Sequence, residues 1–199
     1  MKNLIITIVL TITFSTSFSQ GYGTGDKAID FNLLNIDGQY LSLDDYDEAK
    51  GFIVIFTCNH CPFSIAYEDR IIAIDKKYKA LGYPVIAINS NDSTIAETDS
   101  YSHMKVRAKE KGFTFPYLLD ADQSIARTYG ATRTPHVYVL SKDKKKLLVK
   151  YIGAIDDNHE EPEKVKAKFL EDAVDALLDG NSPNPDFTKA IGCTIKFSK

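Results

Sequence analysis

Two cysteines stand three positions apart directly after an apolar run, and a helical pattern follows them. The run is Gly51–Phe56, and the cysteines are Cys58 and Cys61 in Thr57-Cys58-Asn59-His60-Cys61-Pro62. A continuous apolar run that begins at glycine is typical of a strand covered on both faces. A strand that leads through the cysteines into a helix places both thiols at the helix N-terminus, where backbone N–H groups and the helix dipole favour a thiolate. The spacing also lets the sulfurs close into a small disulfide, so the pair can carry two electrons.

The same spacing is compatible with two other uses. A zinc site needs two further cysteine or histidine ligands, normally as a second close pair. The sequence offers only an isolated cysteine and four histidines without close spacing: Cys193, His60, His103, His136 and His159. A purely structural disulfide across so short a loop adds little loop-closure entropy. A redox dithiol is therefore the favoured interpretation, and neither a metal nor a cofactor is predicted.

Residues 1–19 have the pattern of a signal peptide. Lys2 supplies a basic start, an apolar stretch follows over residues 4–14, and Ser17 and Ser19 fit a small-residue cleavage site that leaves Gln20 as the mature N-terminus. The stretch is short of the roughly 20 residues that span a bilayer, which disfavours the alternative of an uncleaved anchor. We expect an exported protein, periplasmic or secreted, with no stable membrane span after processing. In an oxidising compartment, thiol–disulfide enzymes have substrates.

Composition limits the remaining function classes. The 199 residues carry 24 Lys and Arg against 27 Asp and Glu, a net charge of −3, so no nucleic-acid partner is predicted. Three cysteines are too few for a disulfide scaffold. With 44% hydrophobic residues, the chain is expected to form one domain over residues 20–180, followed by a Pro- and Asn-rich tail at 181–199.

The order of the predicted elements indicates an α/β fold. A hairpin surrounds Asp37-Gly38, and a strand–helix–strand unit over residues 51–89 predicts parallel pairing. Its helix, over residues 64–81, is expected to bury one broad stripe made up of Ile65, Ala66, Ile71, Ile72, Tyr78 and Leu81. Glu68 and Asp69 are expected to be solvated. Later elements are predicted as helices at 98–111, 124–129 and 162–178, a short strand at 116–120, and an antiparallel hairpin of strands 136–140 and 147–152. The expected architecture is a central mixed sheet with helices on both faces.

Two segments resemble the signatures of the thioredoxin fold. Residues 56–62 resemble the active-site elbow of that superfamily, and Arg133-Thr134-Pro135-His136-Val137 resembles its second signature, in which the proline is cis. The N-terminal hairpin and the insertion at 90–119 resemble the redoxin branch, the alkyl hydroperoxide reductase/thiol-specific antioxidant (AhpC/TSA) group. The resemblance covers residues from about 30 to 178. It implies a thiol–disulfide oxidoreductase that cycles a Cys58–Cys61 disulfide with a partner protein or a small thiol and needs no cofactor.

The resemblance also implies roles for single residues. Cys58, expected to be the more exposed thiol, would be the nucleophile, and Cys61 would resolve the mixed disulfide. Thr134 and Pro135 would face the dithiol, with the Thr134 backbone binding an extended substrate peptide. His60 is expected either to lower the pKa of Cys58 or to face solvent.

Other features depart from the family or stay open. Pro62 near the helix start is tolerated because that position needs no N–H donor, and it could also bend the helix. The strand over residues 52–56 is wholly apolar, so the buried carboxylate that many relatives carry there is missing. Cys193 is left open between an extra resolving thiol and a small buried hydrophobe.

Two alternative functions remain. Peroxiredoxins use Pro-x-x-x-Thr/Ser-x-x-Cys, but counting back from Cys58 gives Ile55 and Gly51, and counting back from Cys61 gives Cys58 and Val54. Peroxide reduction is therefore the first alternative to the dithiol oxidoreductase, although the missing residues weaken it. A thioredoxin-like copper chaperone could use both thiols with His60 or His136 to hold Cu(I), although the cysteines of such proteins are usually spaced C-x-x-x-C.

Overall fold

The computed structural model describes residues 21–144 and 146–199, so the predicted signal peptide lies outside the described residues. Within them the strands are β1 (Lys27–Ala28), β2 (Asn32–Asn35), β3 (Tyr40–Ser42), β4 (Gly51–Phe56), β5 (Val85–Asn89), β6 (Tyr117–Leu119), β7 (Arg133–Thr134), β8 (His136–Asp143), β9 (Lys146–Gly153) and β10 (Cys193–Thr194). The α-helices are α1 (Pro62–Tyr78), α2 (Tyr101–Lys111), α3 (Ser124–Tyr129) and α4 (Phe169–Leu178). No helix in this part of the chain combines the length and hydropathy needed to cross a membrane.

Eight of the strands form one mixed sheet in the order β1-β9-β8-β4-β5-β6-β2-β3. β5 pairs in parallel with β4 and with β6, while β8 runs antiparallel to β4 and to β9. β2 and β3 form the expected N-terminal hairpin. The prediction of a central mixed sheet is confirmed.

The central strand β4 divides the core into two layers, because successive side chains of a strand point to opposite faces. Ile53 and Ile55 pack on the side of α1, α2 and α4. Phe52, Val54 and Phe56 pack on the other side, where α3 contributes Ile125, Ala126 and Tyr129. Helices therefore cover both faces, which explains why the whole of β4 is apolar.

The sheet is strongly curled. β1 and β2 are six positions apart in the sheet order, a separation of roughly 29 Å if the sheet were flat. Only residues 29–31 connect them, and a connector of that length reaches at most about 14 Å. The two ends of the sheet must therefore bend toward each other, and they enclose the layer that contains Phe31 and Tyr129.

The buried face of α1 differs from the predicted stripe. Ile71 and Tyr78 of the predicted stripe are buried, but Ile65 and Leu81 are 39% and 44% exposed. Tyr67 and Ile74, which were not predicted, complete the buried apolar face of α1. Tyrosine can take core positions because its hydroxyl reaches a partner at the edge of the core: the hydroxyls of Tyr67 and Tyr78 lie 2.7 Å from Asp156 and Asp175.

The prediction that Glu68 is solvated is also wrong. It is buried, and its carboxylate accepts hydrogen bonds of 2.6 and 2.7 Å from the Arg107 guanidinium on α2. A buried carboxylate is retained only when such a partner compensates its lost hydration. The ion pair joins α1 to α2, and neither of its residues contacts Cys58 or Cys61.

Two predicted helices begin later than expected. Residues 162–178 form a 3-10 turn at Pro162–Lys164 and then α4 from Phe169, because Asp157 bonds the intervening backbone: its carboxylate accepts from Lys166 N–H, and its own N–H donates to Ala167 C=O. Residues 98–111 likewise form a 3-10 turn at Glu97–Asp99 before α2. This second turn packs against the segment that carries Cys58 and Cys61.

Candidate active site

The structure brings the C-x-x-C segment and the Thr-Pro segment together. Cys61 is the N-cap of α1, and Pro62 is the first helical residue, where a proline is favoured. The Thr134–Pro135 bond is cis, as predicted. The Cys58 Sγ lies 3.3 Å from Thr134 Oγ1, and the Cys61 Sγ lies 3.2 Å from the Thr134 carbonyl oxygen. Pairing of Phe56 with His136 at the adjoining ends of β4 and β8 fixes this arrangement.

The expectation that Cys58 is an exposed thiol is wrong. Cys58 is 3% exposed and Cys61 is 0% exposed. The 3-10 turn at Glu97–Asp99 packs against the elbow, where the Asn59 side chain donates to Thr98 C=O at 2.8 Å. Ser64 on α1 adds a hydroxyl 3.8 Å from the Cys58 sulfur. A large substrate can therefore reach the dithiol only if a neighbouring segment moves.

A buried carboxylate stands beside the thiols, although it does not come from the strand where the family often has one. Asp99 is 0% exposed; its carboxylate accepts from Asn59 N–H at 2.7 Å and from the Asn91 side-chain amide at 2.6 Å, and it lies 2.6 Å from His60 Nδ1. His60 is thus held toward Asp99 by a hydrogen bond. Asp99 is not among the predicted site residues, because its position falls within a predicted helix.

The pKa values of the two thiols move in opposite directions. The pKa of Cys58 is raised, first by its hydrogen bond with Cys61, then by burial and by the negative charge of Asp99. The pKa of Cys61 is lowered to about 4, chiefly by the hydrogen bond from Cys58, with smaller contributions from the Cys193 thiol and from the backbone at Ser64. The interaction between the two thiols therefore favours the thiolate form of Cys61 over that of Cys58. The expectation that His60 lowers the pKa of Cys58 is not met.

The substrate edge predicted at Thr134 is occupied by the chain itself. β10 pairs antiparallel with β7, and Cys193 is the direct partner of Thr134. We call residues 192–198 the C-terminal strap. Ile195 anchors it, being 6% exposed and donating its N–H to Thr132 C=O at 3.1 Å.

His136, the residue after the cis proline, is buried against Tyr138 with ring centroids 4.9 Å apart. Its Nδ1 accepts a hydrogen bond from Thr132 N–H at 3.4 Å. Burial lowers its pKa from 6.5 to about 4, with help from the positive charge of Arg133. It therefore stays neutral and lies apart from the group of possible metal ligands described below.

This burial predicts a pH dependence of stability. The unfolded state binds a proton at His136 below pH 6.5, while the folded state does so only near pH 4. The stabilisation is thus complete above pH 6.5 and is lost as the pH falls toward 4, by roughly 3 kcal/mol in all. Urea unfolding of His136→Asn and of the natural protein between pH 4 and 7 measures it: the difference in unfolding free energy should shrink as the pH falls. A difference that does not change with pH would contradict the assignment.

One group of possible metal ligands occurs in the described residues. Cys58, His60 and Asp99 have ligand atoms within 4.8 Å of one another. The imidazole and the carboxylate are hydrogen-bonded to each other, so an ion would have to replace that bond. The group offers one soft thiolate together with a hard carboxylate, which is a poor match for Cu(I).

Comparisons with known proteins agree with the geometry. A model of the AhpC/TSA family matches residues 24–168. The thiol-disulfide oxidoreductase ResA of Bacillus thuringiensis subsp. konkukian (strain 97-27) is 26% identical over 152 residues, which are 71% of this chain and 82% of that protein.

Solved structures share the fold. An uncharacterized conserved protein from Geobacillus kaustophilus has a TM-score of 0.80 and 36% identity, covering 88% of this chain and 93% of its own. The thioredoxin domain of a thiol-disulfide oxidoreductase from Bacteroides vulgatus has a TM-score of 0.54 and 16% identity, covering 67% and 91%. At that identity the likeness concerns the fold alone, and the fold is thioredoxin-like.

Proposed function

Because the chain belongs to the AhpC/TSA family, we propose that it is an exported enzyme that exchanges electrons between a partner and its Cys58–Cys61 dithiol. The chain is a thiol–disulfide oxidoreductase by its family and its named relatives. The cysteine pair as the reacting group, the partner and the export are our proposals. A redox protein or a small thiol or disulfide is the partner; the pattern of residues 1–19 supports export to the periplasm or the medium.

The main support for this proposal is that both thiols lie close to the same residue, Thr134. The sulfurs of Cys58 and Cys61 each lie within 3.3 Å of an oxygen of Thr134, and each thiol shifts the pKa of the other. Two thiols in that relation can form a disulfide without displacement of the sheet. A pair used only for packing would not need one member to carry a lowered pKa.

The exchange proceeds in two balanced steps. A proton passes from Cys58 to the Cys61 thiolate, and the Cys58 thiolate attacks a substrate disulfide, forming a mixed disulfide and releasing one substrate thiolate. Cys61 then gives its proton to the released substrate thiolate and attacks the Cys58 sulfur, which expels the second substrate thiolate and leaves the Cys58–Cys61 disulfide. Two electrons have moved to the substrate, and the reverse sequence reduces the enzyme.

A redox titration of the Cys193→Ser variant tests the proposal. In glutathione buffers of graded potential, mass mapping should show a Cys58–Cys61 disulfide that forms in one two-electron step. Because the Cys61 thiolate is stabilised in the reduced form, we expect a potential above that of thioredoxin, between about −270 and −120 mV. The reduced variant should also cleave insulin disulfides. Failure to form the disulfide at any potential would refute the proposal.

The two alternatives are measured in the same sample. Peroxide reduction needs a hydroxyl and a proline upstream of the reacting cysteine, and neither Ile55 nor Gly51 supplies them, so we expect hydrogen peroxide to be consumed no faster than by a free thiol. A copper chaperone would bind one Cu(I) ion per reduced chain against a chelator such as bicinchoninate. Stoichiometric binding without insulin cleavage would favour that function instead.

A further inference from the structure

We propose that Cys193 is a third redox-active thiol, which forms a disulfide with Cys61 and connects the buried pair to the surface of the protein. This inference rests on the proposed dithiol function and extends it. Cys61 would be the shared member of two alternative disulfides, one with Cys58 and one with Cys193.

The strap holds Cys193 at a fixed place. Beyond the pairing with Thr134, Lys196 N–H donates to the Asn91 side chain at 2.8 Å, and Lys196 C=O accepts from Gln123 at 2.8 Å. The Ser198 N–H donates to the Gln123 side-chain oxygen at 2.8 Å. These bonds continue the strap past the two residues of β10, so its position at the elbow is built into the fold.

Glycine at position 192 is required for this close approach. A Cβ placed on Gly192 would lie 2.2 Å from the Thr134 carbonyl oxygen, a distance that only a shift of backbone could relieve. The strap therefore enters the site by way of a residue without a side chain, and Cys193 follows directly. The same Thr134 carbonyl faces the Cys61 sulfur at 3.2 Å.

All three cysteines meet at Thr134. Cys193 is its strand partner, its carbonyl oxygen lies 3.2 Å from the Cys61 sulfur, and its hydroxyl oxygen lies 3.3 Å from the Cys58 sulfur. The thiols of Cys61 and Cys193 also shift each other's pKa, so we place Cys61 between Cys58 and Cys193. Cys58 and Cys61 are buried, whereas Cys193 is partly exposed. A reductant that is too large to reach the buried thiols can therefore still approach Cys193.

The proposed step is a rearrangement without net oxidation. The Cys193 thiolate attacks the Cys61 sulfur of the Cys58–Cys61 disulfide; the Cys58–Cys61 bond breaks, the Cys61–Cys193 bond forms, and Cys58 leaves as a thiolate that takes up the proton lost by Cys193. An external thiol then attacks the Cys193 sulfur, forms a mixed disulfide with it and expels Cys61 as a thiolate. A second external thiol attacks this mixed disulfide, so Cys193 is released and the two external thiols leave as a disulfide. A thiol of low pKa is a good leaving group, and the pKa of Cys61 is about 4.

Disulfide mapping of three chains tests the inference. Each full-length protein is equilibrated with oxidised and reduced glutathione, quenched in acid, alkylated and digested. We expect the natural chain to contain both disulfides, Cys58→Ser to contain Cys61–Cys193 in most molecules, and Cys193→Ser to contain Cys58–Cys61 alone. Urea unfolding confirms that each variant is folded.

Gly192→Ala in the Cys58→Ser background provides the matched control, since it keeps both thiols and displaces the strap. We expect its Cys61–Cys193 yield to fall several-fold. The inference is overturned if folded Cys58→Ser yields only glutathione adducts, or if the natural chain never contains Cys61–Cys193. Loss of Cys58–Cys61 in Cys193→Ser would instead count against the proposed function, so the two failures are distinguishable.

Discussion

Cys61→Ser is expected to lower the rate of insulin reduction by about a thousandfold or more, because it removes the thiol that we propose resolves the mixed disulfide at Cys58. Cys58 can still attack a substrate disulfide, but no neighbouring thiol then resolves the product. A mixed disulfide between Cys58 and the substrate should accumulate. The rate of insulin reduction measures the first effect, and mass analysis of the acid-quenched reaction measures the accumulated mixed disulfide.

Cys193→Ser is the control for that loss. It removes one cysteine as well, yet it leaves the Cys58–Cys61 pair and its Thr134 contacts intact. With dithiothreitol as reductant, which is small enough to reach the elbow, we expect its turnover to stay within a few-fold of that of the natural protein. Equal losses in the two variants would contradict the assignment of Cys61 as the central thiol.

Asp99→Asn is expected to change both stability and reactivity. The carboxylate accepts two amide donors and contacts His60, so replacing it in a buried position should cost about 1–3 kcal/mol of unfolding free energy. Because the charge of Asp99 raises the pKa of Cys58, its removal should lower that pKa. Urea unfolding and the pH profile of Cys58 alkylation, followed on its peptide, measure the two quantities.

Glu97→Gln serves as the matched control. Glu97 lies in the same 3-10 turn and also carries a carboxylate, but it is exposed. Its neutralisation should leave the alkylation profile of Cys58 in place and change the unfolding free energy by less than about 0.5 kcal/mol. A Cys58 profile that is the same in Asp99→Asn and in the natural protein would show that the Asp99 charge does not act on the thiol.

The parts of the fold with a local signal could be predicted from the sequence. The apolar run of β4 and the Asp37-Gly38 turn carry their structure in consecutive residues. The order of the C-x-x-C and Thr-Pro segments was enough to predict the thioredoxin-like fold and the cis proline, and both are confirmed.

The rest of the site depends on tertiary contacts that leave no local pattern. Asp99 sits in a short turn whose neighbours fit a helix, and only its bond to Asn59 marks it as part of the elbow. β10 has two residues, too few for a period-2 pattern, so its pairing with β7 could not be anticipated. The burial of Cys58 follows from the same packing, since the segment against the elbow lies about 40 residues farther along the chain.

The curled sheet also limits how this protein can associate with other chains. Its two outer strands, β1 and β3, have only two and three residues, and edges this short are poor templates for adding a strand from another molecule. Fibril-like growth from the sheet is therefore disfavoured. Among the strands described, β7 is the one with which another polypeptide could pair by displacing β10. That exchange would take place beside the dithiol.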